Sequence, residues 1–332
     1  MNTVATPLAS PAPAPLASVR DLSVRFHTAR GDALAVNQVS FDVQPGEVLG
    51  LIGESGCGKS VTMRALMKLL PPERTTITGA VQVDGRDVLA MDEAALGAYR
   101  GGTTAMVFQD PALALDPVYT IGQQIGEAVR RHTRCSRAEA RDRAQALLEQ
   151  VKVPSARSRL GNYPHEMSGG MRQRAMIALA LSCNPKLVLA DEPTTALDAT
   201  VQIQVLLIIR ELQQRLGMGA VFVTHDLGVA AEICDRIAVM YAGRIVETGT
   251  VEEVLLHPQH PYTQALLAST IHGAMRGTRI QGIPGAPPDL TRLPAGCAFR
   301  ERCPRAMAAC ASEIPVLQTT QQGHATACLA VA

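Results

Sequence analysis

Two patterns of apolar residues along the chain predict two kinds of β-strand. In residues 19–24 and 35–43, apolar and polar side chains alternate as in antiparallel strands that bury one face, and a turn-forming segment at 29–32 separates them. Continuous apolar runs instead predict parallel strands that are buried on both faces. Such runs occupy residues 47–53, 105–108, 187–190 and 220–224.

Helical spacing of apolar residues connects these strands. It predicts helices over residues 60–70, where a pair of prolines ends the pattern, and over 200–216. Amphipathic helical patterns also fill residues 116–164, most clearly 137–151, between the two halves of the strand pattern. The chain is therefore expected to form an α/β fold with an antiparallel β-rich start and a helical insertion.

The composition changes at both ends of the chain. Residues 1–17 are rich in Ala and Pro, which predicts a disordered tail. Beyond His257, prolines, glycines and cysteines accumulate, which predicts a small appended C-terminal extension over residues 257–332. Residues 18–256 then form the core domain, with a helical subdomain at about 116–185. We find no internal repeat in the sequence.

Composition and charge restrict the classes of function. The 332 residues are 47% hydrophobic and 18% charged, as expected for a globular protein. The 31 basic and 30 acidic side chains give no strong positive bias, so we expect no nucleic-acid partner. The sequence has no run of about 20 apolar residues and no basic residue before Arg20. We therefore expect a cytoplasmic chain that acts at a membrane only through partner subunits.

A glycine-rich segment follows the first predicted parallel strand. Its sequence, Gly53-Glu-Ser-Gly-Cys-Gly-Lys-Ser60, fits the G-x-x-x-x-G-K-[ST] phosphate loop in the strand-loop-helix context that the motif requires. Glycines let backbone amides surround phosphate oxygens, the lysine reaches the outer phosphates and the hydroxyl binds Mg²⁺. The alternative, a chance glycine-rich turn, is disfavoured by this context. The expected ATP ligands are Gly53, Glu54, Ser55, Gly56, Cys57, Gly58, Lys59, Ser60 and Val61.

Two carboxylates, Asp191 and Glu192, follow the apolar run at 187–190. They lie at the C-terminal edge of a predicted strand, where open α/β sheets bind ligands. Asp191 would hold Mg²⁺ together with Ser60, and Glu192 would orient and polarise the attacking water. Alone, such a pair is usually a solvated turn, so this assignment depends on the phosphate loop upstream.

A further motif is needed because kinases, GTPases, helicases and transport ATPases share these features. Residues 167–174, Met-Ser-Gly-Gly-Met-Arg-Gln-Arg, resemble the Leu-Ser-Gly-Gly-Gln signature of the ABC ATPase family. Met167 and Met171 depart from that signature but leave its serine hydroxyl and glycine amides in place. Other family elements occur in family order. The resemblance assigns the adenine-stacking aromatic to Phe26, the Q-loop glutamine to Gln109, the phosphate-binding signature to Ser168, Gly169 and Gly170, the D-loop to Ala196-Leu197-Asp198, and the switch histidine to His225.

This resemblance implies a P-loop ATPase whose sites are completed by a second subunit. The signature serine and glycine amides would cap a helix and donate to a phosphate of the ATP held by the opposite subunit. The chain has one phosphate loop and one signature, so it would supply half of each site. Gln109, Glu192 and His225 are the expected catalytic residues, and Gln109 joins Ser60 and Asp191 as a Mg²⁺ ligand. An ordinary helix cap and a structural histidine are the alternatives for single motifs.

Three stretches narrow the resemblance to importers of dipeptides and oligopeptides. They are residues 109–117, 257–263 and 283–289. The resemblance implies a second ATPase subunit, two membrane permeases and an extracytoplasmic solute-binding protein, with this chain at the cytoplasmic face of the inner membrane. Because such importers often pair two different ATPases, we expect a heterodimer. The same subfamily serves nickel and other small solutes, so the cargo stays open.

Two other classes of function are weaker alternatives. A soluble ABC ATPase that acts on nucleic acid or the ribosome generally carries a long coiled-coil insertion, duplicated cassettes or a basic surface, and this sequence has none of them. A regulatory module that has lost hydrolysis is opposed by Lys59, Asp191, Glu192 and His225, which are all present.

Four of the eight cysteines lie in the last tenth of the chain. Disulfides are disfavoured in the cytoplasm, and a zinc ribbon usually shows close C-x2-C pairs. Buried free cysteines are a further alternative. Four thiolates suffice for a [4Fe-4S] cluster, and the segment resembles the cysteine-bearing extension of one ATPase in peptide importers, which implies such a cluster. The expected ligands are Cys297, Cys303, Cys310 and Cys328.

Overall fold

The computed structural model describes residues 14–29, 31–195, 197–269, 282–321 and 323–331. Residues 1–13 of the expected tail lie outside these ranges. The tail boundary at 17 is wrong, because Leu16 and Ala17 are buried and Ala17 begins the first strand.

The N-terminal part of the chain forms an antiparallel sheet with the strand order β2-β1-β4-β5. Its strands are β1 Ala17–Thr28, β2 Gly31–Val43, β4 Thr75–Val83 and β5 Arg86–Asp87. The first two strands are longer than predicted, because pairing continues to the end of the hairpin, where Thr28 faces Gly31. Val19, Leu22 and Val24 are fully buried and fix which face of the sheet is inside.

The second sheet contains the predicted parallel strands and has the order β11-β12-β10-β9-β3-β8-β7-β6. Its strands are β3 Val48–Ile52, β6 Thr104–Val107, β7 Leu187–Asp191, β8 Gly219–Thr224, β9 Arg236–Tyr241, β10 Arg244–Thr250, β11 Gln318–Gln321 and β12 His324–Thr326. β3 pairs in parallel with β8 and β9, and β7 with β6 and β8. Every residue of β3, β7 and β8 is buried, which explains their continuous apolar sequences.

Helices pack on the second sheet and build the predicted insertion. They are α1 Lys59–Leu66, α2 Glu93–Gly102, α3 Pro111–Ala114, α4 Ile121–His132, α5 Arg137–Gln150, α6 Ala156–Arg159, α7 Gly169–Ala180, α8 Ala199–Leu216, α9 Leu227–Ile233, α10 Val251–Leu256 and α11 Pro261–Ala268. Capping boxes at Thr120 and Ser136 start α4 and α5, because each hydroxyl and its partner side chain satisfy backbone N–H groups that the helix leaves free.

The structure corrects the predicted end of the first helix. We expected it to reach residue 70, but α1 ends at Leu66, and Lys68 has the left-handed backbone angle φ 50°. A residue in this conformation ends the helix before the prolines are reached. None of the helices in the described ranges is both long and apolar enough to span a bilayer.

The C-terminal extension packs against the core more closely than its Pro-, Gly- and Cys-rich sequence suggests. β12 pairs with β10 and so adds strands to the edge of the second sheet. Phe299 is 1% exposed and belongs to the same apolar core as the parallel strands. The extension therefore packs as part of the ATPase core, although the sequence predicts an appendage.

Candidate active site

The phosphate loop leaves the end of β3 and enters α1. Gly53 and Gly58 have φ angles of 151° and 107°, and a Cβ atom at either position would overlap a backbone carbonyl, of Met240 and Ala35 respectively. Only glycine fits both demands. These two positions fix the path of the loop, which agrees with the motif found in the sequence.

Lys59 points back into the loop that precedes it. The side chain is buried, and its ammonium donates to the carbonyl oxygens of Gly53 at 2.7 Å and Glu54 at 3.0 Å. Ser55 and Gly56 are exposed at the tip, and Val61 is half-buried. The thiol of Cys57 is buried, which raises its pKa. The loop thus presents its tip to solvent and keeps its cation inside.

Ser60 and Asp191 meet although 131 residues separate them in the sequence. The Ser60 hydroxyl donates to Oδ1 of Asp191 at 2.8 Å, because β7 ends beside the first turn of α1. Asp191 is 5% exposed, and burial raises the pKa of its carboxyl group. A hydroxyl and a carboxylate oxygen at this distance fit a Mg²⁺ ion, which prefers oxygen ligands.

The expected catalytic residues converge on one carboxylate. Oε2 of Glu192 lies 3.3 Å from Nε2 of Gln109 and 3.3 Å from Nδ1 of His225. The Thr195 hydroxyl donates to the same oxygen at 3.0 Å. Glu192 itself has a left-handed backbone, φ 45°, at the end of β7. The structure therefore brings together three residues that lie at positions 109, 192 and 225.

The adenine-stacking candidate lies on the antiparallel sheet. Phe26 is in β1, and its ring is partly buried against the apolar core of that sheet. Phe26 lies near the end of β1, an internal strand of the sheet, where it pairs with Ala33 of β2 and Thr75 of β4.

The signature residues form a surface of their own. The Ser168 hydroxyl accepts from the N–H of Met171 at 3.4 Å and caps α7, and the Asp198 carboxylate accepts from the N–H of Val201 at 3.0 Å and caps α8. Gly170 faces Val201 so closely that a Cβ atom would lie 2.8 Å from it. None of the hydrogen bonds of these described residues reaches the phosphate loop. Ala196 of the expected D-loop lies outside the described residues.

The C-terminal cysteines gather in the extension. Burial raises the pKa of Cys297, and the thiols of Cys310, Cys303 and Cys328 raise it further. The N–H of Cys297 donates to the carbonyl of Cys310 at 2.9 Å, and the N–H of Arg305 donates to the Cys303 sulfur at 3.4 Å.

All eight cysteines are free thiols. In the described ranges, no group of three or more His, Cys, Asp or Glu side chains is arranged to hold a metal ion.

Comparison with known proteins identifies the family. The model of the family described as ABC transporter matches residues 36–195, and that of the oligopeptide/dipeptide transporter C-terminal region matches 246–310. The chain is 50% identical over 316 residues to the probable peptide ABC transporter ATP-binding protein y4tR of Sinorhizobium fredii, covering 94% of each chain. It is 45% identical over 328 residues to the oligopeptide transport ATP-binding protein OppD of Escherichia coli, covering 99% of this chain and 97% of OppD. The chain belongs to the ATP-binding subunits of ABC transporters.

Solved structures support the fold of this ABC ATPase. The dimeric ATP-binding cassette MJ0796 in a post-hydrolysis state with ADP and Pi is 26% identical, with a TM-score of 0.64, and the match covers 71% of this chain and 98% of that one. The predicted family and the predicted α/β fold with an antiparallel β subdomain are therefore confirmed.

The two departures from the ABC signature are explained by packing. Met167 is buried, and Met171 packs partly buried against the apolar core that surrounds α7. The two methionines leave the phosphate-binding groups of the signature unchanged, since Ser168 and Gly169 at the start of α7 remain exposed to solvent.

Sequence reasoning missed several residues of the site. The Thr195 hydroxyl donates to the Glu192 carboxylate. The short spacing of three residues between them is the local signal by which Thr195 could have been found in the sequence. Tyr262 and Arg302 contact Glu54 in the phosphate loop from more than 200 residues away. No local pattern predicts such long-range contacts.

Proposed function

We propose that this chain hydrolyses ATP to drive the import of dipeptides or oligopeptides, and that Glu192 is its catalytic base. The observation that carries the proposal is the convergence of Gln109, Thr195 and His225 on one carboxylate oxygen of Glu192. A base held by three partners keeps a fixed direction for the water that it polarises.

The remaining loop residues would bind the nucleotide. Lys59 donates to two carbonyl oxygens of the loop, and these bonds would give way to bonds with phosphate oxygens. Ser60 and Asp191 would hold Mg²⁺, with Gln109 nearby, and the ion would neutralise charge on the phosphates. His225 would donate to the terminal phosphate. Phe26 would stack on adenine.

The exposed signature surface supports a composite site. Ser168, Gly169 and Gly170 would contact ATP held by a second ATPase subunit, and Asp198 would lie near the same interface. A solved structure of the similar cassette MJ0796 is described as dimeric, which supports a paired arrangement of ATPase subunits. We favour a heterodimer for this chain.

The match at 246–310 and the names of the peptide transport relatives support peptides as the cargo. The dipeptide transport ATP-binding protein DppD of Bacillus subtilis is also 44% identical over 312 residues, covering 94% of this chain and 93% of DppD. Two permeases and an extracytoplasmic binding protein would complete the importer, with this chain at the cytoplasmic face of the inner membrane.

Replacement of Glu192 tests the proposed base. Glu192→Gln keeps the size of the side chain but removes its basicity, so turnover should fall at least about 10²-fold while ATP binding persists. Turnover is measured with the partner ATPase and permeases present, where the variant should accumulate as an ATP-bound dimer. Glu313→Gln, at an exposed glutamate of the extension, is the matched control. Normal turnover by Glu192→Gln would refute the assignment.

The resemblance of the extension to the cysteine-bearing extension of one ATPase in peptide importers is what supports a [4Fe-4S] cluster on Cys297, Cys303, Cys310 and Cys328. Four thiolates are the donor set that such a cluster takes, and the described side chains would have to rearrange to surround it, since they do not form a metal site as they stand. Gly296 fits the compact loop that holds them, because a Cβ atom there would overlap the carbonyl of Cys310. The cluster would have a structural role, since it would stiffen a segment with little core of its own.

Metal analysis tests the cluster. Anaerobically purified protein should contain iron and acid-labile sulfide, and Cys303→Ser and Cys310→Ser should lose both. Cys135→Ser, outside the extension, should keep them. Stoichiometric zinc, or no metal at all, would rule the cluster out and leave the ATPase assignment in place.

A further inference from the structure

We propose that Arg302 and Tyr262, both in the C-terminal extension, are positioning residues that hold the phosphate loop through Glu54 and neutralise the charge of that glutamate beside the bound phosphates. The inference rests on the proposed nucleotide site and adds to it residues from outside the ATPase motifs.

Arg302 binds Glu54 in a two-point contact. Its NH1 lies 2.7 Å from Oε2 of Glu54, and its NH2 lies 2.9 Å from Oε1. The Arg302 side chain is 5% exposed and that of Glu54 is 23% exposed, so solvent screens the pair little. Two parallel N–H···O bonds fix direction as well as charge, which a lysine could not do.

The guanidinium is itself held in place from several sides. It donates to the carbonyl of Pro284 at 2.9 Å and to the hydroxyl of Tyr241 at 3.3 Å. Its central carbon lies 5.8 Å from the centre of the Tyr241 ring and 5.9 Å from that of Phe299. A guanidinium keeps its positive charge in proteins, so Arg302 is charged here. Residues of this chain alone thus hold the cation beside the phosphate loop.

Tyr262 holds the backbone of the same residue. Its hydroxyl accepts from the N–H of Glu54 at 2.8 Å, while the carbonyl of Glu54 accepts from Lys59 at 3.0 Å. The Tyr262 ring is fully buried, with its centre 4.6 Å from that of Tyr241 and 5.4 Å from that of Phe299. The side chain, N–H and carbonyl of Glu54 are therefore all engaged, two of them by the extension.

Glu54 places a negative charge inside a loop that binds a polyanion. An unpaired carboxylate there would repel the phosphates, and low exposure would strengthen the repulsion. Arg302 cancels this charge. If Arg302 instead served only to attach the extension to the core, its loss would also weaken nucleotide binding. In that case, however, removing the charge of Glu54 as well would not restore binding.

A set of charge variants separates these two roles. The affinity of the full chain for the non-hydrolysable analogue AMP-PNP with Mg²⁺ is measured by titration calorimetry, with thermal unfolding of each variant as a folding check. Arg302→Gln should weaken binding about 10-fold, whereas Arg300→Gln, which removes a cation paired only with Glu301 at the surface, should change it less than about twofold. The double variant Glu54→Gln with Arg302→Gln should bind within about threefold of Glu54→Gln alone.

A second variant keeps the test decisive where Arg302→Gln does not fold. Tyr262→Phe keeps the buried ring but leaves the N–H of Glu54 without its acceptor, and it should weaken binding about three- to tenfold. In the assembled importer, both variants should raise KM for ATP more than they lower kcat.

The inference is overturned by unchanged affinity in Arg302→Gln and Tyr262→Phe, or by a double variant that binds as weakly as Arg302→Gln alone. Absence of binding by the unsubstituted chain would instead overturn the proposed nucleotide site, and this inference with it.

Discussion

The two halves of the proposed ATP site are built differently. The phosphate-loop half is buried and joined to distant parts of the same chain, since Lys59 lies inside its loop and Arg302 holds Glu54. The signature half is exposed, and the hydrogen bonds of Ser168 and Asp198 stay within their own helix ends. From this difference we expect that the phosphate-loop half binds nucleotide in the isolated chain, and that the signature half contacts nucleotide only when it is held by a second ATPase subunit.

The first comparison removes the cation of the phosphate-loop half, and its expected effect on nucleotide affinity is large. Lys59→Ala loses charge-assisted bonds to phosphate, so nucleotide affinity of the isolated chain should fall about 10- to 100-fold, as measured by calorimetry. Lys68→Ala, at a lysine that donates to the carbonyls of Leu89 and Met91 instead, is the matched control. If Lys59→Ala bound nucleotide as tightly as the unsubstituted chain, the phosphate-loop half would not be the half that binds nucleotide in the isolated chain.

A smaller effect is expected from the exposed half. Ser168→Ala removes both a helix cap and a donor to the partner's phosphate, so turnover of the assembled importer should fall about tenfold. Affinity of the isolated chain for nucleotide should stay within about twofold, because the Ser168 hydroxyl does not reach its own phosphate loop. A drop in that affinity as large as the drop in turnover would show that the halves are not independent.

The smallest expected effect is a loss of folding stability at acid pH. It arises at His260, in the extension that contacts the phosphate loop. His260 is 2% exposed, and burial lowers its pKa to about 4. The histidine accepts from the N–H of Tyr262 at 3.0 Å and is therefore neutral in the fold. Because its pKa is lower in the folded than in the unfolded chain, its contribution is complete above about pH 6.5 and is lost as the pH falls towards 4.

Denaturant unfolding measures this contribution. Between pH 7 and 5.5 the chain should lose about 1 kcal/mol more stability than His260→Asn, which has no titrating ring but can still cap α11. Identical pH dependence in the two proteins would exclude His260 as the sensitive group.

The sequence predicted the elements that local chemistry specifies. The phosphate loop, the buried strands and the cap at Ser168 each depend on a few adjacent residues, and their expected places are close to those observed. Glu192 was assigned from its place after a buried strand, whereas Gln109 and His225 were assigned through the family resemblance, since positions so far apart carry no local pattern. The roles of these residues stay predictions.

What the sequence did not predict depends on contacts over long distances. The extension was expected to be an appendage because proline, glycine and cysteine give it no periodicity. In the fold its strand β12 pairs with β10, and the contact of Arg302 with Glu54 spans 248 residues. Helix α1 ended early for a local reason, the left-handed backbone at Lys68, which no residue preference made evident.

The most direct test of the two-half account uses Gly169 at the first turn of α7. A Cβ atom there meets nothing within 4 Å, and a carboxylate at a helix N-terminus is favourable, so Gly169→Asp should fold normally. Its charge would repel the phosphate of the partner's ATP. The account predicts that ATP turnover of the assembled importer falls at least about 10²-fold, while AMP-PNP affinity of the isolated chain stays as in Gly169→Ala. Normal turnover in Gly169→Asp, or an equal loss of affinity in the isolated chain, would contradict it.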